Sequence, residues 1–279
     1  MFEIKELEFS YKKHRKFFSG INLQLEAGRI YGLLGKNGAG KSTLLKIMSG
    51  LLYPKSGTCS ISQVSSAERN VRFLQDIFII PEEFEMPSIK MNQFVSVNSV
   101  FYPRFDNAQF QKYLAEFELQ GNEMLQSLSF GQRKKFFIAF ALATNTRIVL
   151  MDEPTNGLDI PSKSQFRKIV TSALDDNRIF LISTHQVRDL SQLIDHIIVL
   201  DNGSILFSHS TYSISEALTF CHVKDELNDK VLYKEQVLGG FSAVCKKSVD
   251  DIETEIDTEL LFNAIIANHM ILNDVLRKW

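Results

Sequence analysis

The chain of 279 residues is poor in long apolar runs, in cysteine and in net charge. Its longest uninterrupted apolar stretch, Phe136 to Ala143, has eight residues, whereas a helix needs about twenty to span a bilayer. No segment is therefore expected to cross a membrane by itself. The early charges of Met1-Phe2-Glu3-Ile4-Lys5 leave no apolar core for a secretory signal. Three cysteines (Cys59, Cys221 and Cys245) are odd in number and lack CxxC spacing. They read as reduced thiols of a cytosolic protein, not as a metal site or a disulfide frame. A net charge of −2 supplies no basic field for nucleic acid. That charge is uneven: residues 221–279 hold 11 acids against 7 bases, so the first 220 residues are net positive. The shift marks a candidate boundary near residue 215, and no internal repeat or low-complexity linker accompanies it.

What is present begins with Gly35-Lys36-Asn37-Gly38-Ala39-Gly40-Lys41-Ser42-Thr43. It fits G-x-x-x-x-G-K-[ST], a loop whose backbone N–H groups wrap the phosphates of a nucleoside triphosphate. The apolar run Ile30–Leu34 leads in, and Leu44, Leu45, Ile47 and Met48 at helical spacing lead out. A helix N-terminus favours an anion through its free amides and its dipole. Lys41 is expected to reach the β- and γ-phosphates and the Ser42 hydroxyl to hold Mg²⁺.

Phe2, Ile4, Leu7 and Phe9, with one slip, and Ile21, Leu23 and Leu25 alternate as half-exposed strands do. Ile30–Leu34, Ile148–Met151 and Ile179–Ile182 are continuous apolar runs, the mark of parallel strands covered on both faces. Between them the texture changes. A helix is expected from Pro87-Ser88 through Phe101. Asp106 with Gln109 predicts a capping box, opening a helix whose Phe110, Tyr113, Leu114 and Phe117 pack inward. A short helix over Val187–Ile194, a strand His196–Leu200, a hairpin turn at Asp201-Asn202-Gly203-Ser204 and a last helix from Thr258 to about Ile266 complete the reading.

Arg147-Ile148-Val149-Leu150-Met151-Asp152-Glu153 is a buried strand ending in two carboxylates. Asp152 suits the shell of a Mg²⁺ ion, and Glu153 can polarise a water aimed at the γ-phosphate. Upstream, Leu128-Ser129-Phe130-Gly131-Gln132 resembles the signature motif LSGGQ of ATP-binding-cassette (ABC) ATPases, with Phe130 in place of the first Gly. Phe9-Ser10-Tyr11, Gly157-Leu158-Asp159 and Ser183-Thr184-His185 resemble other segments of the same family, as does Pro81-Glu82-Glu83, where Glu82 replaces the usual Gln. The resemblance covers residues 1 to about 215. Tyr102–Asp106 and the Pro-Glu-Glu loop are most similar to bacterial cassettes of the bacitracin/lantibiotic-export group.

The resemblance implies an α/β fold: a P-loop NTPase core with a mixed, largely parallel sheet and antiparallel N-terminal strands. A helical insertion over about 86–145 would interrupt the ATPase domain, 1–215, and residues 216–279 would form a small C-terminal α+β appendage. It implies an ATPase with ATP and Mg²⁺ as cofactors, Tyr11 on adenine, Glu153 as general base, and His185 at the γ-phosphate. Ser42, Asp152 and Glu82 would serve the metal. Ser129, Gly131, Gln132 and Asp159 would meet the nucleotide held by a second copy or a related subunit. It further implies a separate transmembrane permease, a cytoplasmic place on the inner face of the membrane, and no nucleic-acid partner. The alternative is a non-transport ABC ATPase acting on nucleic acid or ribosomes.

Overall fold

The computed structural model describes all residues except 13–16, 120, 190, 224–229, 249, 250, 252, 278 and 279. The chain opens with β1 (Phe2–Phe9), β2 (Phe18–Leu25) and β3 (Arg29–Leu34), then α1 (Lys41–Met48), β4 (Ser56–Ile61), β5 (Val64–Ser65), α2 (Val71–Asp76) and β6 (Ile77–Ile80). An antiparallel sheet forms in the order β2-β1-β4-β5. The slip in the β1 alternation is a register shift at Glu6, whose φ is +47°. Three helices follow: α3 (Met91–Asn98), α4 (Asn107–Glu116) and α5 (Phe130–Ala143). The chain then returns to strands with β7 (Ile148–Asp152), α6 (Ile160–Ala173), β8 (Ile179–Thr184), β9 (His196–Asp201) and β10 (Ser204–Ser210).

The central sheet has the order β10-β9-β3-β8-β7-β6, with all neighbours parallel except β10 on β9. Alternate residues of its strands face two separate cores. Leu33, Leu150, Leu181 and Leu200 join β1, β2 and the inner face of α1. Val149, Met151, Ile182 and Val199 join α5, α6 and the helical insertion. Both faces are covered, which is why these strands read as unbroken apolar runs. Leu44, Leu45, Ile47 and Met48 are completely buried. Each such side chain contributes about 1.5–3 kcal/mol, so α1 is held by packing and its N-terminus is fixed against the sheet.

The insertion departs from expectation at its start. Helix α3 begins at Met91, not at Pro87-Ser88, because the preceding backbone is engaged: Leu125 N–H donates to Ile89 O (2.9 Å) and Met91 N–H to Glu123 O (3.0 Å). Asp106 caps α4 through Ala108 and Gln109 N–H, but the capping box does not close, since Asp106 N–H donates to Ala143 O and Gln109 Oε1 has no partner; Phe110, Tyr113, Leu114 and Phe117 are buried as read. Of the helix expected over Val187–Ile194, Val187–Asp189 is a single 3₁₀ turn, and residue 190 lies outside the described residues. Beyond β10 come α7 (Thr211–Ala217), the antiparallel sheet β11-β13-β12 (Leu218–Val223, Gly240–Lys246, Val231–Val237) and α8 (Thr258–Leu276). Helix α8 runs past Ile266 through a kink at Asn268. Leu272 and Leu276 resume its buried stripe, and Asn273 Nδ2–H donates to Leu206 O of β10 (2.9 Å).

Candidate functional site

The phosphate loop joins the carboxyl end of β3 to α1. Two glycines there are dictated by close approach. A Cβ on Gly35 would stand 2.5 Å from Leu200 O, and one on Gly40 (φ +111°) 2.8 Å from the Phe18 ring. Glycine at both positions lets the loop lie close against these neighbours. Lys41 is 7% exposed and its Nζ donates to Gly35 O at 2.8 Å.

A cavity of about 380 Å³ opens on this loop. Lys36, Asn37, Gly38, Gly40, Lys41, Ser42 and Thr43 form one wall; Glu82, Glu153 and His185 form the opposite side. The carboxyl ends of β6, β7 and β8 deliver these three side chains, since adjacent parallel strands end together. Glu153 is 3% exposed. Its Oε1 lies 2.8 Å from His185 Nδ1 and 3.6 Å from Lys41 Nζ, while its buried Oε2 has no hydrogen-bond partner. Asp152, also buried, accepts a short hydrogen bond from the Ser183 hydroxyl. Glu82 Oε1 accepts from Asn156 Nδ2–H at 3.0 Å.

The donor set fits Mg²⁺ bound together with phosphate. Ser42, Asp152 and Glu82 offer hard oxygens, the ligands that ion takes. Among the described residues no three acids, histidines or cysteines converge to form a metal cage.

Tyr11 is exposed, and its hydroxyl pairs with Thr43 Oγ1 at 2.8 Å at the rim. Phe17, edge-on to Tyr11, is the aromatic that lines the cavity itself. Ser129, Gly131, Gln132 and Asp159 are not part of its lining. Ser129 is the N-cap of α5 in a reciprocal capping box with Gln132, and this end of the helix is exposed. Asp159 caps α6, where hydrogen bonds from Ser162 hold its carboxyl below the usual range. Phe130 covers the Gly157 turn and stacks toward Phe84.

Four participants escaped the sequence reading: Phe17, Asn156, Gln186 and Lys134. Lys134 is completely buried in α5 and donates to Glu153 O (2.8 Å) and Asn156 O (3.0 Å). Burial lowers its ammonium from the ordinary lysine range, opposed by the carboxylates of Glu82, Glu153 and Asp152. Lys134 is four residues before the buried Ile138, but Phe130, four residues before Lys134, is exposed, so helical spacing alone does not mark the lysine as buried.

A family described as ABC transporter matches residues 18–156. The methionine import ATP-binding protein MetN of Carboxydothermus hydrogenoformans is 30% identical over 259 residues, 83% of this chain and 75% of that protein. The lantibiotic transport ATP-binding protein SrtF of Streptococcus pyogenes is 27% identical over 236 residues, 85% of this chain and 100% of that protein. A dimeric ATP-binding cassette solved in a post-hydrolysis state with ADP and Pi superposes with a TM-score of 0.67 at 24% identity, covering 75% of this chain and 98% of that one.

Proposed function

The chain belongs to the ABC transporter family, and from that premise we propose that it is an ATP-hydrolysing subunit that drives a separate membrane permease. Two copies, or one copy and a related subunit, pack head to tail. Each ATP then lies between the phosphate loop of one chain and Ser129, Gly131 and Gln132 of the other, with Asp159 beside the shared interface. The exposed N-terminus of α5, outside the cavity that holds Lys41, supports this division of labour.

The loop amides and Lys41 bind the β- and γ-phosphates. Ser42, Asp152 and Glu82 would hold Mg²⁺, which would supply charge neutralisation for phosphoryl transfer. Tyr11 meets adenine at the rim. His185 fixes Glu153 through Oε1 and leaves Oε2 free to accept a proton from the attacking water. The buried Glu153 carboxylate, held by His185 and close to Lys41 through Oε1 with Oε2 unpaired, is the observation that carries the reading. General-base catalysis of this kind contributes typically about 10²–10⁴-fold. Phosphate release then removes the bond between the two surfaces and opens the pair.

The permease contact is assigned to the apolar groove of about 390 Å³ between α2, α3 and the strand leading to Glu82, where Val71, Leu74 and Phe101 are exposed. Attachment there places the subunit on the inner face of the membrane. Relatives named for methionine import and for lantibiotic transport are both similar to this chain, so the cargo is assigned to the permease. In the test, Glu153→Gln should bind Mg·ATP and run as a dimer in size exclusion, reverting to monomer with ADP. Rapid turnover without an ATP-dependent dimer would remove Glu153 from its role.

A further inference from the structure

Lys134 has no carboxylate within ion-pair distance among the described contacts, yet it lies fully buried in the first turns of α5. A buried ammonium is unfavourable unless its donors are used. Here two go to Glu153 O and Asn156 O, and the Phe130 ring covers the cation at 5.3 Å from its centroid. The two carbonyls bracket the turn from Glu153 to Asn156, which Asn156 N–H closes onto Glu153 O at 3.2 Å. Glu153 holds a φ of +46°, a conformation a side-chain-bearing residue keeps only where its surroundings impose it. Asn156 then reaches both neighbouring loops. Its Nδ2–H donates to Glu82 Oε1, and its Oδ1 accepts from Gln186 Nε2–H (3.4 Å), the residue after His185.

Resting on the reading of Glu153 as the hydrolytic carboxylate, we propose that Lys134 and Asn156 are positioning residues that transmit the placement of the exposed α5 N-terminus to Glu153. Ser129 and Gln132 are within five residues of Lys134 on one rigid helix, so a shift that seats them on the partner's nucleotide moves the Lys134 ammonium as well. That ammonium grips the carbonyl of the very residue whose side chain faces the water. Asn156 carries the same displacement to the Glu82 loop and to the His185 segment. Neither residue touches the nucleotide; each sets the angle at which Glu153 meets it.

The test compares the full-length wild type with Lys134→Met and Asn156→Ala, measuring kcat, KM, Mg·ATP affinity and melting temperature, with assays well below the melting midpoint. Lys134→Met should lower kcat about 10–100-fold, as loss of an orienting partner does, while KM and Mg·ATP affinity stay within about threefold. Asn156→Ala should lower kcat about three- to tenfold with the same constancy of binding. A folded Lys134→Met protein with wild-type kcat, or one whose loss appears only in binding or melting, overturns the proposal. Should Lys134→Met fail to fold, an unchanged kcat in Asn156→Ala overturns it equally. A wild type that does not hydrolyse Mg·ATP at all would instead defeat the functional reading on which this rests.

Discussion

The two ends of the central sheet treat buried charge in opposite ways. At the amino end Arg178, 3% exposed, spends its guanidinium on Ala173 O, Leu142 O, Thr146 O and Asn145 Oδ1, and lies over the Phe180 ring. Burial brings it down to about 10. At the carboxyl end Lys41, Asp152 and Glu153 are buried as deeply, yet Glu153 Oε2 and Thr155 Oγ1 are left without partners and Glu153 carries a left-handed backbone. Unsatisfied buried acceptors and imposed backbone strain cost stability. At the carboxyl end that cost falls on a charged side chain, where the phosphate loop, the two carboxylates and the histidine converge.

Three substitutions or conditions sharpen or break this contrast. Glu153→Gln should reduce kcat by about 10²–10⁴-fold and leave the melting temperature unchanged or raised, since it relieves an unpaired carboxylate oxygen. A large loss of stability would show that Glu153 is structural. Arg178→Met should do the reverse. Arg178 serves four acceptors, and each left unpaired in the interior costs about 1–3 kcal/mol, so a loss of at least about 4 kcal/mol in urea unfolding is expected. The protein that remains folded should keep its kcat and its Mg·ATP affinity. An equal loss of turnover would join the two ends into one functional unit.

The smallest effect is a pH dependence of stability. His196, at the amino end of β9, is pushed down to about 4 by burial, with Arg29 and His209 adding repulsion. Its folded value is thus below the ordinary 6.5, and the folded state binds fewer protons than the unfolded one. The stability this confers is complete above pH 6.5 and is lost as pH falls toward 4. Denaturation midpoints should drop over that window in the wild type and more shallowly in His196→Asn. Parallel curves would assign the acid sensitivity elsewhere, His209 being the next candidate since burial lowers it as well.

Legibility in the sequence followed the same division. The phosphate loop could be read because its chemistry fixes residue types at set spacing; Gly35 and Gly40 are required by the Leu200 carbonyl and the Phe18 ring. The covered strands Ile148–Met151 and Ile179–Ile182 could be read because burial on both faces forces unbroken apolar runs. Strand β6 was not counted among them: four residues are too few to separate a buried strand from a buried helical turn. The second half of α8 was missed because Asn268 interrupts the pattern, and only contact with β10 shows that the helix resumes. Lys134 and Asn156 were missed for a deeper reason. Their partners are backbone carbonyls and side chains of distant loops, which no local periodicity encodes.

The central claim is that each nucleotide is completed by two chains, and mixing two inactive variants tests it most directly. Lys41→Ala lacks a working phosphate loop but keeps its α5 N-terminus; Ser129→Glu keeps the loop and places a carboxylate where the partner's phosphates should sit. Each alone should hydrolyse Mg·ATP poorly. Mixed, they form a pair in which one site has both intact halves, so the mixture should exceed the sum of the separate rates. A mixture that only matches that sum, or a Ser129→Glu protein that turns over at the wild-type rate alone, would contradict the account.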